Sequence, residues 1–229
     1  MTFSLVARCP RTGMVGVALS SSAVVVASRC AWSRAKVGAV ATLHITDPRL
    51  GRLGLDLLGA GYPAPAVRDM LVAAAGQHAD WRQLAIVDTV GRTATFTGKL
   101  CRTHSVAAEG EGCASACNVV ANERIPAAMI AGFMRNPGEH LAERLMQAVE
   151  AGLAAGGEFM EERGAGIHVS EQHAWPIVDL RVDWHDRPVQ ELRRIWDNYR
   201  PHMQSYVARA IDPSTAPPIS LQGAKAKAG

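Results

Sequence analysis

Residues 2–22, TFSLVARCPRTGMVGVALSSS, decide the fold. Phe3, Leu5, Ala7 and Cys9 alternate with Thr2, Ser4, Val6 and Arg8, which is the period of a strand whose two faces meet different surroundings. PRTG comes next as a turn and MVGVALSSS runs apolar again, so the segment reads as a β-hairpin. Chain termini fray unless something ties them down, and a strand that starts at residue 2 suggests that the terminus has a task. Thr2 is the first candidate for it.

Working outward, KVGAVATLHI (36–45) is short, β-branched and continuous, the pattern of a buried strand. Asp47 is placed to cap, and Pro48 to open, a helix through LGRLGLDLLGA (50–60). PAPAVRDMLVAAAG (63–76) predicts a second helix, and RQLAIVD (82–88) with RTATFTG (92–98) a second hairpin. EGEGCASACN (109–118) reads as a small-residue loop that lets other groups approach the backbone closely. IPAAMIAGFMRN (125–136) and GEHLAERLMQAVEAGLAAGG (138–157) are helical, the second closed by a glycine pair. GIHVSE and WPIVDLRVD form a last hairpin, and Asp186 in VDWHDRP is placed to cap the final helix. That helix runs over 188–210 and is interrupted at Pro201.

Hairpins that alternate with helix pairs must have their sheet faces covered. The order fits an α+β fold, a four-layer αββα sandwich of two antiparallel sheets, with a two-layer α+β domain as the competing architecture. One domain over 1–211 is expected, with 212–229 (DPSTAPPISLQGAKAKAG) a disordered tail by composition.

Composition narrows the function. A net charge of +3, scattered along 229 residues, gives no footprint for nucleic acid. No stretch has the apolar length to span a bilayer and the start lacks the features of a secretory signal, so a cytoplasmic protein with no membrane partner is expected. Five cysteines without zinc-ribbon spacing, and no HExxH, point to reduced thiols, no metal and no cofactor. An apolar stripe of Ile195, Trp196, Tyr199 and Met203 suggests a homodimer.

If Met1 is removed, Thr2 carries a free α-amine within reach of its own hydroxyl. Such an amine titrates near pH ~8 and can take the hydroxyl proton, making a nucleophile and base on one residue. The alternative is that Thr2 is simply a β-former beginning an edge strand.

MTFSLVARCPRTGMVGVALSSS, RCAWSRAKVGAVAT, TDPRLGRLGLDLL, RQLAIVDTVGRTA and PIVDLRVDWHDRPVQELRRIW together resemble the domain of unknown function 1028 family, a bacterial group placed with the N-terminal nucleophile (Ntn) hydrolase-like proteins. The resemblance runs from about Thr2 to about Ala210. It implies an Ntn-like αββα sandwich and, by analogy within the superfamily, hydrolysis of an amide or ureido C–N bond in a small molecule. Thr2 takes the family's threonine position, while Ser21, Trp32 and Asn118 also match it. Asn118 would donate to an oxyanion, or else cap its own turn.

Ser21, Arg29, His44, His104 and Glu158 are candidates for contacting substrate. His44 ends a strand and could orient substrate or simply bond to backbone. His104 lies in RTHSVAAEGEG beside Glu109 and Glu111, a loop that would line a pocket or stand in solvent. Glu158 comes after a helix C-terminus, where negative charge is disfavoured, so it is either solvated or held by a cation such as Arg29 or Arg163. Leu43, Phe96 and Gly164 depart from the family pattern and are expected to strip polar groups from the pocket wall. That expectation favours a rival reading, a binding protein that kept the fold and lost the chemistry.

Overall fold

The computed structural model describes residues 1–102 and 104–216. In chain order the elements are β1 (Thr2–Arg8), β2 (Val15–Ser21), α1 (Val26–Cys30), β3 (Ala31–Arg34), β4 (Gly38–His44), α2 (Pro48–Gly59), α3 (Ala64–Ala75), β5 (Arg82–Asp88) and β6 (Thr93–Thr97). They continue with β7 (Val106–Gly110), β8 (Cys113–Asn118), α4 (Ile125–Met134), α5 (Leu141–Ala154), β9 (Gly164–Ser170), β10 (Val178–Val182), α6 (Pro188–Tyr199) and α7 (Met203–Ile211). Two antiparallel sheets result, in the orders β10-β9-β2-β1-β8-β7 and β3-β4-β5-β6.

Strand alternation sorts the side chains into three apolar layers. Phe3, Leu5 and Ala7 face α4, α5 and α6 on the outside of the larger sheet. Val6, Val17 and Leu19 meet Ala39, Ala41, Leu43, Ala85 and Val87 between the sheets. Val40, Leu84 and Ile86 face α2 and α3 beyond the smaller sheet. The fold is therefore the αββα sandwich. The tail read as disordered over 212–229 lies mostly outside the described residues, and no helix among the described residues is long and apolar enough to cross a membrane.

Several local expectations change. CASACN is not a loop but β8, an interior strand buried along its whole length between β1 and β7. Its small residues have low β-propensity, yet Ala114 and Ala116 let the two sheets approach closely, and that packing overrides propensity. Burial pushes the Cys113 and Cys117 thiols up to about 11 and about 12, so both stay protonated. β3 is also separate from β4, and Trp32 on it lies against Gly51 of α2, where any Cβ would collide with the indole. Asp47 does cap α2, accepting from Arg49 N at 3.1 Å. Asp186 does not cap α6; the N-cap is Arg187, with no side-chain cap bond.

The apolar stripe of the C-terminal helices is consumed within the chain. Trp196 and Met203 are buried, and Ile195 and Tyr199 pack on the same core. Its four residues thus serve the chain's own core. Trp196 Nε1 donates to Glu143 Oε2 at 2.7 Å, and Arg193 spans Glu143 and Glu150 at 2.8 Å each. This network joins α6 to α5.

Burial alone would raise the Glu143 carboxyl, but bonds from Arg193, Trp196 and Gln147 outweigh it and hold it at about 2. Its folded value is below its unfolded one, so its stabilisation is present above pH 4.5 and lost as pH falls toward 2. Glu143→Gln is expected to cost about 3 kcal/mol at neutral pH. Urea unfolding across that acid range should show the gap to wild type narrowing; a gap independent of pH would contradict the assignment.

Candidate active site at the start of the first strand

β1 is not an edge strand. It pairs with β2 through Phe3↔Ser20 and with β8 through Thr2↔Asn118, so both neighbours hold its first residues. Even-numbered residues of β1 face the inter-sheet layer, which aims Thr2 between the sheets at one end of the sandwich. Thr2 is buried. Its Oγ1 lies 3.4 Å from Ser21 Oγ, and both hydroxyls donate to the Met1 carbonyl, Ser21 at 2.5 Å. Ser21 Oγ also accepts from Ala23 N at 3.0 Å.

Asn118 faces the same layer, fully buried, and donates through Nδ2 to Gln83 Oε1 at 3.0 Å. Gln83 is itself anchored, its Nε2 donating to Cys117 O at 2.9 Å and Thr97 Oγ1 at 3.1 Å. An amide nitrogen has two hydrogens; one of Asn118's is spent on Gln83. Asn118 Oδ1 has no partner. Gln83 went unnoticed in the sequence because a glutamine inside an apolar strand carries no motif. It stands opposite Leu43 in the β4–β5 ladder, so the wall that Leu43 leaves apolar carries an amide from the adjacent strand.

Residues 157–163 form a strap across the end of the larger sheet. Gly157 O accepts from Ala121 N at 3.0 Å and Phe159 N donates to Val119 O at 3.2 Å, on the β8 side. Arg163 N donates to Ser21 O at 2.8 Å, on the β2 side. Because β1 lies between β8 and β2, the strap passes over its first residues.

The strap carries Glu158, whose Oε2 accepts from Ser22 N at 2.9 Å and whose Oε1 is buried without a partner. Desolvation is the main cause that pushes this carboxyl up to about 7, against the Ser22 bonds and the N-terminal ammonium nearby. Neither expected cation holds it. Arg163 pairs with Glu161 and Asp186, and the exposed Arg29 donates to the carbonyls of Val24 and Val25. A cleft of about 380 Å³ opens here, lined by Met1, Ser22, Met160, Glu161, Arg163 and Trp184.

The remaining candidates sit at the same end but outside this cluster. His44 Nδ1 meets Trp81 O at 2.9 Å while Nε2 accepts from Arg102 N at 3.3 Å, so both ring nitrogens are satisfied by backbone. Burial lowers its pKa, consistent with a neutral ring. His104 is exposed, and its carbonyl accepts from Val120 N at 3.4 Å.

One of the three departures does not touch this pocket. Phe96 packs in the layer under α2 and α3, away from the inter-sheet face. Gly164 pairs with Ser21 and so lies on the inter-sheet face, where a Cβ would come to 3.0 Å from Ala23 O. Leu43 faces the inter-sheet layer too. Among the described residues, four of the five non-glycine residues with positive φ, namely Val25, His44, His104 and Val119, lie at this end. Such geometry costs of order 1–3 kcal/mol per residue and concentrates at functional sites.

No curated protein matches the chain. The crystal structure of protein SPO2555 from Silicibacter pomeroyi, assigned to the DUF1028 family model, aligns with TM-score 0.80 at 24% identity, over 86% of this chain and 85% of that one. It shares the fold. Anbu (ancestral beta-subunit) from Yersinia bercovieri aligns over 89% of this chain and 97% of that one, but with TM-score 0.38 and 9% identity, too slight a likeness to bear on function. The model described as "Family of unknown function (DUF1028)" matches residues 2–192, and the chain belongs to that family.

Proposed function

We propose that this protein is an Ntn-type amidohydrolase that cleaves an amide or ureido C–N bond of a small molecule through Thr2, exposed as the N-terminal residue by removal of Met1. The observation that carries this reading is the position of the Thr2 hydroxyl: buried at the end of an interior strand, beside Ser21, opposite Asn118 and under a strap that presents Glu158.

With Met1 gone, the Thr2 nitrogen is a free amine and the carbonyl that occupies both hydroxyls leaves. The amine accepts the Oγ1 proton as Oγ1 attacks the substrate carbonyl carbon. The second N–H of Asn118, whose amide Gln83 keeps from rotating, is suited to the developing oxyanion. Collapse breaks the C–N bond, the proton passes to the departing nitrogen, and water then hydrolyses the acyl-threonine. The unpaired Oε1 of Glu158 suits an N–H group of the substrate, and Phe159, Met160 and Trp184 stand exposed as an apolar rim for its remainder. The rival reading is a binding protein without chemistry: Phe96 lies outside the inter-sheet pocket, whereas Leu43 and Gly164 leave apolar or empty positions on its faces.

Turnover and stability each provide a check. In a screen of small amides, lactams and ureido acids for amine or ammonia release, Thr2→Ala should abolish turnover of any hit, with the unfolding midpoint almost unchanged. Thr2→Ser should retain part of it, and wild-type turnover by Thr2→Ala would remove Thr2 from the mechanism. For Glu158, the folded pKa is raised, so its stabilisation is complete below pH 4.5 and lost as pH rises through about 7. Urea unfolding at pH 5 and pH 8 should show wild type weakening over this interval and Glu158→Gln weakening much less; equal slopes would contradict a buried, unpaired carboxyl.

A further inference from the structure

The opposite end of the sandwich holds a second group of reactive side chains. Ser33 on β3 and His168 and Ser170 on β9 meet where the two sheets lie face to face: Ser33 Oγ is 2.7 Å from His168 Nδ1 and 2.8 Å from Ser170 Oγ. His168 and Ser170 pair with Val17 and Val15, four and six residues along β2 from Ser21. At strand rise that places them about 13–20 Å from the Thr2 end. A cavity of about 450 Å³ opens on the group, lined by Ser33, Arg34, His168, Ser170, Gln172 and His173 among others.

From this geometry we propose that Ser33 is a second nucleophile, activated by His168, and that the cavity accepts a small polar carboxylic ester. A hydroxyl within hydrogen-bond reach of an imidazole, the imidazole oriented by a third group, is the arrangement that makes serine nucleophilic. Asp179 supplies a negative charge near the ring without bonding to it, both its carboxylate oxygens accepting from Arg181. It stands directly opposite His168 in the β9–β10 ladder, so both side chains lie on the same face of the sheet. With the ring proton on Nε2, His168 Nδ1 accepts from the Ser33 hydroxyl at 2.7 Å.

Desolvation holds the His168 pKa below the usual imidazole value, opposed by Asp179 and assisted by Arg181, so the ring is a neutral base at neutral pH. Ser170, buried, can donate to Ser33 while Ser33 donates to His168, which polarises the Ser33 hydroxyl in the productive direction. Gln172 lines the same cavity and carries an amide N–H suited to a developing oxyanion, while the Arg34 guanidinium is turned to Asp56 of α2 at 2.8 Å.

In the reaction the Ser33 Oγ–carbonyl carbon bond forms while His168 takes the hydroxyl proton. The ester C–O bond then breaks, and the proton passes to the departing alkoxide. Water, deprotonated by His168, releases the acid and restores Ser33. With a fluorophosphonate in place of the ester, an Oγ–phosphorus bond forms, fluoride leaves with the bonding pair, and the adduct persists.

Native full-length protein is therefore treated with a fluorophosphonate and the adduct located by peptide mass mapping. Ser33 is expected to be labelled at least tenfold faster than in urea-unfolded protein. Labelling should vanish in Ser33→Ala, fall at least tenfold in His168→Gln, and be unchanged in Thr2→Ala, which separates this site from the Thr2 reading. Ser170→Ala, which leaves the Ser33–His168 contact intact, should slow labelling while keeping it on Ser33. Absence of a Ser33 adduct in native wild type overturns the proposal whatever the variants do, as does wild-type labelling by a folded His168→Gln.

Discussion

The double pairing of β1 is the constraint on which the rest of the molecule depends. Because β2 and β8 hold its two sides in fixed register, Thr2 cannot fray, and its side chain must enter the inter-sheet layer. A slip of one residue would move Thr2, Ser4 and Val6 to the helix face and Phe3, Leu5 and Ala7 into the narrow space between sheets. The size difference between those sets makes such a slip costly: the inter-sheet layer is built from valine, alanine and leucine, whereas Phe3 packs against α4 and α5. Register and site geometry are thus one property.

Elements with two contrasting faces were legible from sequence, and elements chosen for closeness were not. The β1–β2 hairpin, the capped start of α2 and the break at Pro201 all arise from local pattern, since alternation, capping and a missing N–H act within a few residues. β8 was hidden because its alanines, serine and cysteines serve the distance between layers, a tertiary requirement without a local signature. Thr2, Ser21, Asn118 and Glu158 were recognisable as candidates through chemistry and resemblance, and they converge on one end. Gln83 and the 157–163 strap were invisible, because their contributions are a buried amide held by other strands and backbone bonds to residues far away in the chain.

Buried polar groups at the Thr2 end are incompletely satisfied. At the Thr2 end, Asn118 Oδ1 and Glu158 Oε1 are buried without partners, while β-branched Val25 and Val119 occupy the left-handed region. Buried polar atoms normally find partners, and leaving one without costs about 1–3 kcal/mol. The burial of α5 and α6 against the larger sheet and the Glu143–Arg193–Trp196 network offset such strain from a distance. A ligand with complementary N–H groups would recover it at the site itself, and so would the ammonium of a processed terminus.

Processing of the terminus is accordingly the most direct test. Catalysis by Thr2 requires it to become the first residue, because an acylated nitrogen is not basic and Met1 covers the hydroxyl. Intact-mass measurement of the protein produced in bacterial cytoplasm should give a mass lower than the encoded chain by one methionine residue. A population that retains Met1 throughout would contradict an N-terminal nucleophile.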